Sequence, residues 1–226
     1  MAAALAILQL DTRFPRIPGD IACRETYALP TRIEVIDRAQ VVNVVSVDPE
    51  ALDLSGFASA LAKADVDIIS TSCGFMIYFQ NALSQLTEKT FISSALVSLP
   101  KLRSSLQDAE IMVITFDADV LAAPAYRLAL DGFSGPVVGL EKSMHLYDVI
   151  SKDLEHLEFE RAEEDIDRLM QAALSRYPGI KAILLECTNL PPYKHIIRQH
   201  FAGEIIDCLT VLEAAMPGLV KSQFLA

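Results

Sequence analysis

The chain has 226 residues, 52% of them hydrophobic, and a formal net charge of -11. That length and apolar content allow a large buried core and exclude a disordered chain. The acidic balance argues against nucleic acid or membrane partners, because a sequence-independent hold on phosphates or anionic lipid needs clustered Lys and Arg.

In chain order, short runs rich in Ile, Val and Leu predict strands at Ala4–Leu10, Gln40–Val47, Asp67–Thr71, Ile111–Phe116, Pro136–Leu140, Lys181–Leu185 and Ile205–Leu209. Between them, helical spacing predicts helices at Leu54–Lys63, Met76–Leu86, Ser93–Gln107, Ala122–Leu130, Phe159–Ser175, Tyr193–His200 and Leu209–Pro217. This alternation belongs to an α/β chain with mainly parallel sheets, whose strands are covered on both faces. The first apolar run lacks the basic flank and small-residue cleavage site of a leader peptide, so it reads as a buried strand. Every apolar run meets a charge well before the ~20 residues that span a bilayer. The acidic stretch from Glu155 to Asp167 reads as the solvated face of a helix. Cys23, Cys73, Cys187 and Cys208 are too few and scattered for a disulfide framework, and no spacing suits a metal. They are expected to be reduced thiols in a cytoplasmic protein.

A diverged internal repeat organises the chain. Ile7–Leu10 ends at Asp11, and a second strand leads through Thr71 and Ser72 to Cys73 and Gly74. The same order recurs where Val113–Phe116 ends at Asp117 and a strand leads through Glu186 to Cys187 and Thr188. The offsets are 106 residues between the aspartates and 114 between the cysteines, a difference of a few loop residues. Two similar lobes are expected: residues 1–100, rejoined by 204–226, and residues 101–203.

Cys73 and Cys187 each follow a strand and precede a helix, the place from which side chains of a parallel sheet enter a ligand crevice. A helix N-terminus favours the thiolate, so either could act as a base. A cysteine after a strand is also common core filler; it is the pairing at equivalent places of a repeat that points to chemistry across a shared cleft. Cys23 and Cys208 have no repeat partner and read as structural. Gly74 removes bulk after Cys73, and Thr188 and Asn189 are a plausible cap before Pro191 and Pro192.

With Asp11 at the end of the first strand, the segments Thr71-Ser72-Cys73-Gly74-Phe75 and Leu185-Glu186-Cys187-Thr188-Asn189 resemble the aspartate/glutamate racemase superfamily. That group includes glutamate, aspartate and hydantoin racemases, maleate isomerases and arylmalonate decarboxylases. The resemblance implies two Rossmann-like lobes related by a pseudo-twofold, an active site in the cleft between them, and no pyridoxal phosphate or other cofactor. It further implies that one cysteine removes a proton from the substrate carbon while the other protonates the opposite face. The implied substrate is a small carboxylic acid such as an amino acid or a derivative, and a homodimer is compatible with it. The sequence departs from the amino-acid racemases at Gly74-Phe75, where they commonly carry Asn-Thr, and at Glu186, where they usually carry Gly.

Substrate contacts are expected from Asp11, Ser72, Gly74, Phe75, Thr115, Asp117, Thr188 and Asn189. Asp11 and Asp117 fit loop capping equally well. Phe75 and Tyr78 suit either a pocket wall or lobe packing. Arg13 and Arg16 read as surface residues ahead of carboxylate clamps, and His145 and His195 as ordinary helix residues ahead of partners for a thiol. A racemase or epimerase would use both cysteines. A decarboxylase or cis–trans isomerase would use one, and a non-catalytic acid-binding protein neither.

Overall fold

The computed structural model describes residues 3–225. Eight strands form two separate four-stranded sheets: β1 (Leu5–Leu10), β2 (Thr31–Ile36), β3 (Ile68–Thr71) and β4 (Thr90–Ile92), then β5 (Ile111–Thr115), β6 (Val137–Gly139), β7 (Ala182–Leu185) and β8 (Glu204–Ile206). The first sheet has the order β2-β1-β3-β4 and the second β6-β5-β7-β8, with every pairing between these strands parallel. The orders are the same strand for strand. Leu8 pairs with Thr71 in one central ladder and Ile114 with Leu185 in the other, so the repeat extends to register.

The central strands are buried except at the half-buried Gln9, and apart from Gln9, Ser70, Thr71 and Thr115 their residues are Ile, Leu, Val, Ala and Met. The long helix Phe159–Arg176 turns Ala162, Ile166, Leu169, Met170 and Ala173 inward at helical spacing. Most of its acidic residues face solvent; Asp165 is instead buried, accepts the His145 amide at 2.6 Å and pairs with Arg168.

Several expectations need correction. Gln40–Val47 is no strand. Val41–Val44 winds into one helical turn, while the strand of that region is β2, an edge strand with a charged Arg32–Glu34 pair that hides it from an apolar-run search. β4 falls in the gap between the expected helices Met76–Leu86 and Ser93–Gln107, where no strand is expected, and the latter resolves into a 3-10 turn at Ala95–Ser98 and a short helix at Leu99–Arg103. Met76–Leu86 begins as a 3-10 segment, Gly74–Phe79, and becomes α-helical at Gln80–Ser84. The helix His145–Ser151 lies outside the expected helix ranges, although His145 itself reads as a helix residue.

The last strand of the expected first-lobe return belongs to the second lobe. β8 pairs with β7, as β4 pairs with β3, so the repeat completes before the chain crosses back. The return starts at Asp207, which caps the helix Cys208–Ala215 through the Thr210 amide. Leu209 and Leu212 of that helix join Leu5, Ile7 and Ile68 of the first sheet in one apolar cluster. Lys194, buried in the second lobe, donates to the Phe224 carbonyl at 2.7 Å and lies 2.7 Å from Asp207 Oδ2, close enough for an ion pair though not aligned as a hydrogen bond.

Candidate active site

The carboxyl ends of β1, β3, β5 and β7 converge on one small cavity between the lobes. Its wall includes Leu10, the last residue of β1, Phe116, just after β5, and Ser72-Cys73 and Glu186-Cys187, which follow β3 and β7. Gly74, Phe75, Thr188 and Asn189 complete the polar end, while Phe14, Val41, Val45 and Ile150 close the other side. Both thiols are buried and face this one space.

The repeat reaches the hydrogen bonds. In the first lobe the Leu10 amide donates to Ser72 Oγ at 2.9 Å; in the second the Phe116 amide donates to Glu186 Oε2 at 3.4 Å. Ser72 and Glu186 are thus equivalent residues one place before each cysteine, and the longer side chain carries a carboxyl group beyond the amide. Thr115 Oγ1 also donates to Oε2, at 2.7 Å. The other oxygen, Oε1, is buried without a partner, at a cost of about 1–3 kcal/mol for an acceptor taken from water. It lies over Gly74: a Cβ there would stand 2.6 Å from the Glu186 carboxyl carbon and nearer still to Oε1 and the Glu186 carbonyl oxygen. Only glycine lets the two lobes cross this closely. The lobes are joined again by Thr188 Oγ1, which donates to the Ser72 carbonyl at 2.7 Å.

Burial governs the charges here. It pushes the Glu186 carboxyl up to about 7 against the opposing bonds from Thr115 and Phe116. It also pushes the Cys73 thiol up to about 12, with Glu186 adding to it and the Phe75 amide, Arg16 and the Met76 amide opposing. Cys187 lies well above the ordinary thiol range, by burial first and Glu186 second. The helix-end expectation of easily formed thiolates is therefore reversed in this closed form. The segment after Cys73 is a 3-10 helix, and the helix after Cys187 starts only at Pro191, so desolvation outweighs the dipole.

Arg16 corrects the surface reading. Its side chain is only 9% exposed, lines the cavity, lies over the Phe14 ring at 4.3 Å, and is held by Asp20 at 3.3 Å and Thr12 at 3.1 Å. Its Nε is buried without a partner. Asp20 also accepts from Asn189 Nδ2 at 2.6 Å, and so ties the guanidinium to the Cys187 loop. Arg13 is exposed, as expected, and pairs across the cleft with Asp153 and Glu155 of the second lobe.

Other candidates lie elsewhere. Asp11 accepts the Arg38 amide, Asp117 caps the helix Ala118–Leu121, and Thr115 acts through Glu186; none of the three lines the cavity. His145 accepts the Glu158 amide and His195 meets Glu163, both outside the cavity wall. Phe75 packs edge-on against Tyr126, whose buried hydroxyl has no partner and is pushed upward by burial, Cys73 and Glu186. Sequence reasoning left Glu186 and Tyr126 without a role. A charged residue wedged between an all-apolar strand and a cysteine was the available signal for Glu186.

About 30 Å³ is free within these walls, room for a water or two and too little for an amino acid. Substrate entry therefore requires the walls to part. The Phe14–Arg16 loop and the Val41–Val45 turn on one lobe, and Ile150 on the other, are the parts that close it.

The fold and site define an α/β enzyme family with duplicated lobes, and the model of the Asp/Glu/Hydantoin racemase family matches residues 21–216. The chain belongs to that family. In fold it is similar to the allantoin racemase from Klebsiella pneumoniae, with a TM-score of 0.61, 13% identity, and 97% and 91% of the two chains covered. It is similar also to the glutamate racemase from Bacillus anthracis, with a TM-score of 0.59, 13% identity, and 97% and 84% covered. Among curated proteins it is 23% identical to a dimethylsulfoniopropionate lyase from Durusdinium sp. clade D, over 97% of this chain and 76% of that protein. It is 27% identical to dimethylsulfoniopropionate lyase 5 from Emiliania huxleyi, over 93% of this chain but 44% of that protein, so it spans less than half of the latter's length. Among the described residues no helix is long and apolar enough to cross a membrane.

Proposed function

We propose that the protein is a cofactor-independent racemase or epimerase that inverts a carbon α to the carboxylate of a small acid, with Cys73 and Cys187 as opposed base and acid. The observation that carries this reading is the placement of two thiols at equivalent strand ends of duplicated lobes, in the wall of one cavity. Arg16 is the carboxylate partner: a buried, oriented guanidinium with a spare N–H binds a carboxylate more firmly than a solvated one. One thiol, ionised, removes the α-hydrogen; the amides beyond the cysteines and the guanidinium stabilise the enediolate; the other thiol protonates the far face.

A second reading, β-elimination from the same enediolate, is favoured by the two curated relatives described above, each of which bears the name of a lyase. The two readings share the first step and part at the second. In D₂O, single enantiomers of chiral acids, amino acids and hydantoins, and dimethylsulfoniopropionate, are each incubated with the enzyme. Racemisation gives loss of optical rotation with deuterium on the inverted carbon, whereas elimination gives an unsaturated acid and a released leaving group. Inversion without solvent label, on a substrate whose proton cannot be shielded and returned, overturns the two-thiol assignment.

A further inference from the structure

The two thiols share a difficulty: in the closed cavity neither loses its proton readily, yet the reaction needs one thiolate at a time. The group placed to resolve it is Glu186. Its carboxyl is fixed by Thr115 and the Phe116 amide through one oxygen, while the other lies buried and unpartnered over the residue that follows Cys73. Glu186 itself directly precedes Cys187. The repeat makes this specific, because the equivalent residue of the first lobe, Ser72, only serves the Leu10 amide.

We infer that Glu186 is the proton reservoir of the site, a positioning residue that holds the proton released by one thiol and returns it to the other. This rests on the two-thiol reading above. At rest, at pH above about 7, Cys73 and Cys187 are both thiols and Glu186 is a carboxylate, so the three groups carry one negative charge. When substrate binds, the Cys73 S–H bond breaks and an O–H bond forms on Glu186, moving the charge to sulfur. The thiolate takes the α-hydrogen and Cys187 gives its proton to the opposite face, leaving a thiolate at Cys187. Glu186 then returns its proton to Cys187. The carboxylate is restored, and the protons balance over the cycle. In the reverse direction the thiols exchange roles around the same carboxyl group.

Burial raises Cys73, Cys187 and the Tyr126 hydroxyl most, and the charge of Glu186 adds to each, with Arg16 opposing it at Cys73 and Asp20 adding to it at Cys187. All of them belong to the inter-lobe wall or pack directly behind it.

The test compares wild type, Glu186→Gln and Glu186→Asp, all in a Cys23→Ser, Cys208→Ser background so that thiolate absorbance reports on Cys73 and Cys187. The infrared band of a protonated carboxyl is followed over the same pH range. In Glu186→Gln the thiols should ionise at lower pH than in wild type, because a neighbouring anion is gone, yet turnover should fall on the order of 100-fold or more, as loss of an acid–base group does. A structural role alone would not give easier ionisation together with slower turnover. Glu186→Asp should recover part of the loss. Turnover of Glu186→Gln within about threefold of wild type, short of that acid–base range, overturns the inference; so does thiol ionisation that does not move. Should Glu186→Gln fail to fold, wild type decides: a carboxyl band that titrates near neutrality supports the reservoir, and none above the ordinary carboxylate range refutes it. These titrations need no substrate, so a failure of deuterium exchange with every acid refutes the two-thiol chemistry separately.

Discussion

The crossing of Glu186 over Gly74 can be tested by adding one methyl group. Gly74 does not have a positive φ, so in open surroundings Gly74→Ala would stabilise by about 0.4–1 kcal/mol through the unfolded chain. Here the new Cβ meets the Glu186 carboxyl carbon at 2.6 Å and its Oε1 and carbonyl oxygen closer still, and a backbone carbonyl cannot rotate away as a side chain can. Overpacking costs about 1–3 kcal/mol, and displacing Glu186 gives up its charged hydrogen bond from Thr115, about 1.5–3 kcal/mol more. The net loss is roughly 2–5 kcal/mol, which for a chain of this size lowers Tm by roughly 4–20 °C. Calorimetry with matched urea unfolding measures it, and turnover should fall in parallel because the methyl group separates the two cysteine loops. A Gly74→Ala protein with the Tm and turnover of wild type would show that the lobes do not meet here as described.

Cys73→Ser and Cys187→Ser should each abolish inversion with the fold intact by circular dichroism, and the double mutant should be little worse than either, since the pair acts as one unit. Cys23→Ser and Cys208→Ser should retain most activity. Arg16→Lys keeps the charge but loses the planar fork, so KM for the acid should rise about tenfold or more while the thermal midpoint moves little; an unchanged KM removes Arg16 from the site. Glu186 also makes stability depend on pH. Its folded carboxyl titrates about 7 against an ordinary 4.5, so the stability it contributes is fully present below pH 4.5 and lost as pH rises to 7, a change of roughly 3 kcal/mol. Glu186→Gln should flatten that slope and be the more stable protein at pH 8. Lys194→Met leaves Asp207 as a buried charge without its cation and should cost about 3–5 kcal/mol in urea unfolding; a loss below about 1 kcal/mol refutes the pairing.

What could be read directly were the features written in local pattern. The apolar runs at β1, β3, β5 and β7 are central strands buried at nearly every position, and such strands announce themselves by composition. Both cysteines were legible because each follows such a strand, and the repeat made them a pair. Two of the four edge strands were not legible, since β2 carries Arg32 and Glu34 and β4 has three residues, whereas β6 and β8 fall within or overlap the expected runs Pro136–Leu140 and Ile205–Leu209. The valines at Val41–Val44 favour a strand by propensity, yet form a helical turn over the cleft, where Val41 and Val45 meet a partner surface that no local window contains. Glu186 and Arg16 were visible as letters but not as site residues. Their roles depend on burial, and burial depends on segments far apart in the chain meeting: Ser72 with Leu10 within the first lobe, 62 residues apart, and Thr188 with Ser72 across the two lobes, 116 apart. The ionisation of the thiols followed the same division. A strand-to-helix position is written in the sequence and suggests a lowered thiol pKa, whereas the closed lobes remove water from both sulfurs and place a carboxyl beside them, and desolvation wins because it acts on the full charge.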